Sequence, residues 1–367
     1  MKWSKHTIIT SLIGFTIFLL LSGIVYIYVN NNLHEESSNK TESKSHTSAK
    51  KDKIRVGFSI ATYQEERWPI DRDIFISKCN ELGAEVIVQS ANGDEGRQYM
   101  QCEKLIEQDI DVLVIISQNS EKSAAIVDKA KEKGIPVVAY DRLIRNCDID
   151  AFVSYDNVKI GELQAEYIIQ KEPEGNYVLL GGDETDYNSI QIKKGQLNVL
   201  TPYIENGDIQ IIEDKWVRNW NPSEARKIMS GVDKTINAVL AANDGIAGGV
   251  TQALGERKLA GKIAISGQDA DLAGCQRIVE EIQNMTVYTP IKAEAEACAE
   301  IAIKIARGLE FENNSTVDNG KYSVPTLLLT PVAVDKNNII DTVIKDGYQK
   351  FEDVYKHIPK KEWPVQK

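Results

Sequence analysis

The chain is predicted to be an α/β protein built of two doubly wound parallel-sheet lobes, joined by a multi-strand hinge and preceded by one transmembrane helix. Three observations predict this. From residue 54 onward, short apolar runs alternate with segments of helical period, the pattern of βαβ units. The 367 residues suffice for two such units in tandem, at roughly 150 residues per domain. Residues 7–29 form an uncharged apolar stretch, TIITSLIGFTIFLLLSGIVYIYV.

At about 1.5 Å per residue that stretch reaches roughly 34 Å, enough to cross a hydrocarbon core of about 30 Å. It runs on through Ile24, Val25, Tyr26, Ile27, Tyr28 and Val29 without a small-residue cleavage site, and no cysteine follows Leu21, Ser22 and Gly23 to take a lipid. An uncleaved signal anchor is expected. Lys2 and Lys5 before the span, with Glu35 and Glu36 after it, place a cytoplasmic tail at 1–6 and the bulk of the chain outside the cell membrane. Residues 30–53 hold seven Ser or Thr and one large apolar residue, Leu33, which is the composition of a flexible linker.

The folded body begins with the strand IRVGFSI (54–60), followed by a helix near 69–82, a strand at 84–90, a helix near 95–109, the strand DVLVIIS (111–117), a helix near 121–133 and the strand IPVVAY (135–140). A second series follows Asp156. It comprises a helix near 158–171, NYVLLGG (176–182), a helix near 189–201, DIQIIED (208–214), a helix near 222–231, INAVLAAND (236–244), a helix near 245–257, KIAISGQD (262–269), a helix near 271–282 and MTVYTP (285–290). The helix at 292–311 and the segment LLLTPVAV (327–334) remain over, and are expected to cross back between the lobes.

Composition removes several function classes. The net charge is −11, and seven basic but only four acidic residues precede residue 54, so the folded body is more acidic than the whole. Nucleic-acid binding, which needs clustered Lys and Arg, is not expected. The four histidines are His6, His34, His46 and His357, which leaves almost none for Ser-His or Cys-His catalysis or for a zinc site. With no P-loop or G-x-G-x-x-G either, no enzyme, metal or cofactor is expected. The five cysteines (79, 102, 147, 275 and 298) are scattered and odd in number, and read as small buried hydrophobes.

Open parallel sheets bind ligands beyond the carboxyl ends of their strands. Here those ends read AYDR (139–142), SYDN (154–157), AAND (241–244) and GQDAD (267–271). An Asp or Asn after a strand often just caps the next helix. Four such ends together point instead to a polar, uncharged ligand, because carboxylates, amides and guanidinium groups pair with vicinal hydroxyls while an aromatic face covers a sugar's C–H side. Trp68 and Trp220 are candidates for that face.

The strings ERWPIDRDIF (66–75), QSANGDE (89–95), VLVII (112–116), AYDR (139–142), GELQAEYI (161–168), AANDGIAGG (241–249), ISGQDADLAG (265–274), MTVYTPI (285–291) and NNIIDTVIKDG (337–347) together resemble bacterial D-xylose-binding proteins of the periplasmic-binding class for pentoses and hexoses. The resemblance covers 54 to about 348. It implies the type I periplasmic-binding-protein fold, with two lobes closing over one monosaccharide. It also implies a lobe 1 of 54–157 with 290–328, a lobe 2 of 158–289 with 329–350, and a C-terminal tail at 351–367. Carried over by motif, it places Arg67, Trp68, Asp141, Arg142, Asp186, Asn188, Trp220, Asn243 and Asp269 in the sugar site. Two departures stand out: Thr289 occupies the position of a family lysine, and SIATYQEERW (59–68) is read as lacking the acidic pair the family tends to carry after its first strand.

The anchor is the third departure. It is similar to that of membrane-anchored xylose receptors serving LytS-type sensor histidine kinases. The expected function is therefore an extracytoplasmic D-xylose receptor that signals to the outer domain of a sensor histidine kinase, the alternative being the solute-binding component of an ABC importer, with a permease as partner.

Overall fold

The computed structural model describes residues 53–364. The expected cytoplasmic tail, the transmembrane segment at 7–29 and nearly all of the linker lie outside them, and among the described residues no helix is long and apolar enough to cross a membrane.

The chain first lays down β1 (Ile54–Ile60), α1 (Arg67–Glu81), β2 (Ala84–Ser90), α2 (Glu95–Ile106), β3 (Val112–Ile115), α3 (Ala124–Glu132), β4 (Val137–Tyr140) and β5 (Ala151–Tyr155). These strands pair in parallel and are covered on both faces, as their near-continuous Val, Ile and Leu content requires. One face, with Val56, Phe58, Val114 and Tyr140, packs on Trp68, Phe75 and Cys79 of α1. The other, with Leu113, Ile115 and Val137, packs on Cys102 and Leu105 of α2 and on Val127 of α3. The five cysteines are all free and buried.

The second lobe follows as α4 (Asn157–Lys171), β6 (Gly175–Gly181), α5 (Tyr187–Asn206), β7 (Ile209–Trp216), α6 (Pro222–Ser230), β8 (Ala238–Ala241), α7 (Asp244–Glu256), β9 (Ala264–Ile265), α8 (Leu272–Val279) and β10 (Thr286–Tyr288). Its four-stranded parallel sheet runs β7-β6-β8-β9. Helices α4 and α5 cross at two glycines: a Cβ on Gly161 would lie 1.9 Å from the Ile192 carbonyl oxygen, and one on Gly195 1.9 Å from that of Val158. This contact fixes α5, whose N-terminus enters the site described below. The helix also runs one turn past its expected end near 201, because it tolerates Pro202 and stops only at Gly207, at φ 81°.

The chain then returns through α9 (Ile291–Ala306), β11 (Ser315–Asp318) and β12 (Ser323–Leu329) to the first sheet, and crosses again to β13 (Val332–Val334) and a helical turn, α10 (Phe351–Val354). The first sheet is completed as β11-β12-β5-β4-β3-β1-β2, while β13 pairs with β10. The LLLTPVAV segment thus does cross between lobes, since Leu327–Leu329 pair with β5 and Val332–Val334 with β10. Three crossings form the hinge, tied where the Tyr155 hydroxyl donates to the Pro290 carbonyl at 2.8 Å and the Asp156 N–H to that of Leu329 at 3.3 Å.

β11 and the start of β12 fall where the sequence reading assigns no strand, whereas β5 ends at Tyr155, inside the SYDN string read as a strand end. The described part of the C-terminal segment from 351 packs on the body: Phe351, Val354 and Tyr355 are buried with Tyr288 and Val343, and Trp363 meets Phe351 edge-on at 5.3 Å. These four apolar side chains, close together in the sequence, give it surface to bury.

Candidate ligand-binding site

The carboxyl ends of both sheets face one another across the hinge, and a narrow polar cavity lies between them. All nine residues expected from the sequence line it, together with Glu65, Ile192 and Gln268. From the first lobe come Arg67 and Trp68, which open α1, and Asp141 and Arg142, which follow β4. The second lobe contributes Asp186 and Asn188 at the start of α5, Trp220 ahead of α6, Asn243 after β8 and Asp269 after β9.

Capping and lining turn out to be compatible roles. Asp186 accepts the Asn188 N–H at 3.1 Å and so caps α5, and Asn243 Oδ1 accepts the Ile246 N–H at 2.9 Å and caps α7, yet both side chains also face the cavity. Asp141, Trp220 and Asp269 reach it from left-handed backbone, with φ of 60°, 54° and 92°. Such conformations are disfavoured outside glycine, above all for a bulky Trp, and persist only where the surroundings enforce them.

The polar groups are held by one another. Arg67 Nη1 lies 2.9 Å from Asp141 Oδ2, and Arg142 Nε 2.9 Å from Asp186 Oδ2, the latter pair joining the two lobes. Asn188 Nδ2 donates across the cleft to the Asp141 carbonyl and Oδ1, at 3.0 and 3.1 Å. The two guanidinium carbons sit 4.4 and 5.3 Å from the centroid of the Trp68 ring, whose Nε1 donates to Glu65 Oε2 at 2.7 Å. Trp220 Nε1 donates to Asp186 Oδ2 at 3.3 Å. Asp269 has no such cation in direct contact among the described residues; it accepts from the Asn243 amide at 3.4 Å and the Gln268 amide at 3.2 Å. Burial pushes its carboxyl up to about 7, partly offset by Arg67, and pushes Asp186 up to about 6 against the pull of Arg142.

Sequence reasoning missed three lining residues. Gln268 stands beside Asp269 in the GQDAD string, and Ile192 follows Asn188 by one helical turn on the same face of α5, so both had an available signal. Glu65 belongs to the segment read as lacking an acidic pair. It lines the cavity, while its neighbour Glu66 accepts the Leu272 N–H of the other lobe at 3.1 Å and the Gln349 amide at 2.9 Å. Thr289 is buried but is not among the lining residues, and its hydroxyl has no hydrogen-bond partner among the described residues. A further lobe-to-lobe contact lies outside the cavity, where the Ser120 hydroxyl donates to the Thr185 carbonyl at 2.9 Å and accepts the Tyr187 N–H at 2.8 Å.

The arrangement suits a neutral polyhydroxylated molecule. Four carboxylates (Glu65, Asp141, Asp186 and Asp269) offer acceptors to hydroxyl protons, two guanidinium groups donate, and two indoles supply apolar faces. Among the described residues no group of three or more His, Cys, Asp or Glu is placed to hold a metal ion.

Known proteins agree with this geometry. The family model described as "Periplasmic binding protein domain" matches residues 56–310. The chain is 48% identical over 313 residues to the D-xylose-binding periplasmic protein of Haemophilus influenzae, covering 84% of this chain and 94% of that one. It is 48% identical over 305 residues to the protein of the same name from Escherichia coli, covering 82% and 92%. The crystal structure of an ABC transporter solute-binding protein from Clostridium phytofermentans with bound β-D-glucose superposes with a TM-score of 0.76 at 29% identity, covering 82% of this chain and 99% of that one. With two α/β lobes, three crossings and a polar cavity between them, the chain belongs to the periplasmic-binding-protein family, in its type I form.

Proposed function

We propose that this protein is an extracytoplasmic receptor that closes on D-xylose or a closely related pentose, without turnover, as the solute-binding component of an ABC importer. The observation that carries the reading is the cavity's lining, in which acceptors, donors and two indoles from both lobes converge on one space. The relatives named for D-xylose support the choice of sugar. In this reading Arg67, Trp68, Asp141 and Arg142 bind from one lobe and Asp186, Asn188, Trp220, Asn243 and Asp269 from the other, with Glu65 and Gln268 added. The sugar stabilises the closed form because only there does it meet both sets. Calorimetry of residues 53–364 with xylose, arabinose, ribose and glucose tests it: one-to-one binding with xylose tightest is expected, and no heat with xylose, or tighter binding of glucose, would overturn it.

A second reading, signalling to a sensor histidine kinase, is favoured by one feature, the apolar stretch at 7–29, which would confine the receptor beside a membrane partner and raise its effective concentration there. The importer is favoured over it because the relatives are named as periplasmic binding proteins. Co-purification of the full-length chain from membranes, with and without xylose, separates the two: permease recovered supports the importer, and a sugar-dependent kinase supports signalling.

A further inference from the structure

Arg67 is the most heavily engaged cation in the site, and its partners extend well behind the cavity wall. Its Nε lies 3.0 Å from Asp71 Oδ2, its Nη1 2.9 Å from Asp141 Oδ2 and its Nη2 2.8 Å from Glu294 Oε2, so each guanidinium nitrogen meets a carboxylate. Asp71 also accepts the Tyr140 hydroxyl proton. Glu294 is fully buried in the first turn of α9, immediately after the chain re-enters the first lobe through Thr289 and Pro290. Its second oxygen, Oε1, has no hydrogen-bond partner among the described residues. Asp71 and Glu294, both fully buried, thus share one guanidinium with the cavity-lining Asp141, a surplus of negative charge that burial disfavours.

We propose that Glu294 is a positioning residue for the sugar site: as a neutral carboxylic acid it holds Arg67 from the hinge side and so fixes the guanidinium edge turned toward Asp141 and the cavity. The assignment rests on the reading of that cavity as a sugar site. The groups facing Glu294 are Arg67 and Asp71 on α1, Tyr140 and Asp141 at the end of β4, Tyr155 at the end of β5 and Cys298 on α9 itself, and only one of them is a cation. Burial, reinforced by Asp141 and Asp71 and opposed by Arg67, raises the Glu294 carboxyl well above the usual range. A neutral acid at 294 lowers the surplus of negative charge gathered around a single arginine. It also makes the first turn of a hinge-connected helix part of the mechanical support of the site.

Two variants and two readouts test this. Glu294→Gln reproduces a neutral acid in size and keeps an acceptor for Arg67, so xylose affinity is expected within about threefold of wild type. Glu294→Ala frees one side of Arg67 and is expected to weaken binding tenfold or more. Because a carboxyl raised in the folded state favours folding less as pH rises above its unfolded value, wild type should lose stability relative to Glu294→Gln between pH 5 and 9. The melting temperature of wild type relative to that of Glu294→Gln should therefore fall as pH rises. Loss of affinity in Glu294→Gln equal to that in Glu294→Ala, wild-type binding by Glu294→Ala, or a gap constant with pH would each overturn the proposal. If Glu294→Ala does not fold, the Gln variant decides alone. If wild type binds none of the sugars, the proposed function falls and the melting gap still decides whether Glu294 is neutral; if sugar binds and the gap is flat, the function stands and this inference falls.

Discussion

Replacing Ser120 by Ala removes nothing that touches the cavity, and yet it should weaken sugar binding. The Ser120 hydroxyl spans the two lobes, donating to the Thr185 carbonyl and accepting the Tyr187 N–H, the first amide of α5. Alanine keeps the backbone bond from the Ser120 N–H to the Thr185 carbonyl and forfeits both hydroxyl bonds. In an open form these groups are hydrated, so the loss falls on the closed form alone. At roughly 0.5–1.5 kcal/mol for each neutral hydrogen bond, closure is weakened by about 1–3 kcal/mol, or about 5- to 150-fold in affinity. Titration calorimetry at 25 °C reads the affinity, and a thermal melt without sugar reads the fold. The expected result is weaker binding with an unchanged sugar-free melting temperature. Binding within twofold of wild type, or a drop matched by an equal loss of sugar-free stability, would refute the argument that closure and affinity are coupled through this contact.

Four further outcomes are expected. Asp269→Asn should weaken xylose binding at least tenfold yet raise the sugar-free melting temperature more at pH 8 than at pH 5, because burial raises the Asp269 carboxyl to about 7 and the native state gives up stability as that group ionises; melts at the two pH values check the sign. Wild-type affinity should correspondingly fall as pH drops below 7 and the acceptor is protonated, which calorimetry from pH 5.5 to 8 measures. Gly182→Ala would set a methyl 2.3 Å from the Trp220 ring and drive the indole into the cavity, so affinity should fall tenfold or more while circular dichroism stays native. Thr289→Val exchanges a buried, unpartnered hydroxyl for a methyl, and should leave affinity within twofold and stability equal or slightly higher.

Much of the site was legible because the βαβ rule assigns it to strand ends, and AYDR, AAND and GQDAD each stand at one. Less accessible was how those residues present their side chains. Nothing local in the sequence announces that Trp220 adopts φ 54°, because the surrounding structure imposes it. Long-range contacts were hidden for the same reason: the bonds of Ser120 to 185 and 187, and of Glu66 to Leu272, exist only once the lobes meet. The extent of β5 was not delimited, although SYDN marks its end, because Ala151–Tyr155 is short and follows a polar loop, and β11 was missed because Ser315–Asp318 carries a single aliphatic residue, Val317. By contrast the LLLTPVAV crossing is legible, since Thr330 and Pro331 separate a pair of strand-like runs.

The threefold crossing also bears on how the chain assembles as it is synthesised. All four strands of the second lobe's parallel sheet lie between residues 175 and 265, so that sheet can form from one continuous stretch. The first lobe begins earlier and finishes later: β5 lacks its outer neighbour until β12 has emerged, nearly 170 residues after it, and α9, which covers one face, is equally late. A nascent chain therefore carries an unpaired, apolar strand edge from the end of β5 until β12 emerges, a template for wrong partners. Chaperones that bind nascent chains should engage this protein between residues 155 and 329, and truncation before Ser323 should yield aggregation in place of a smaller soluble lobe.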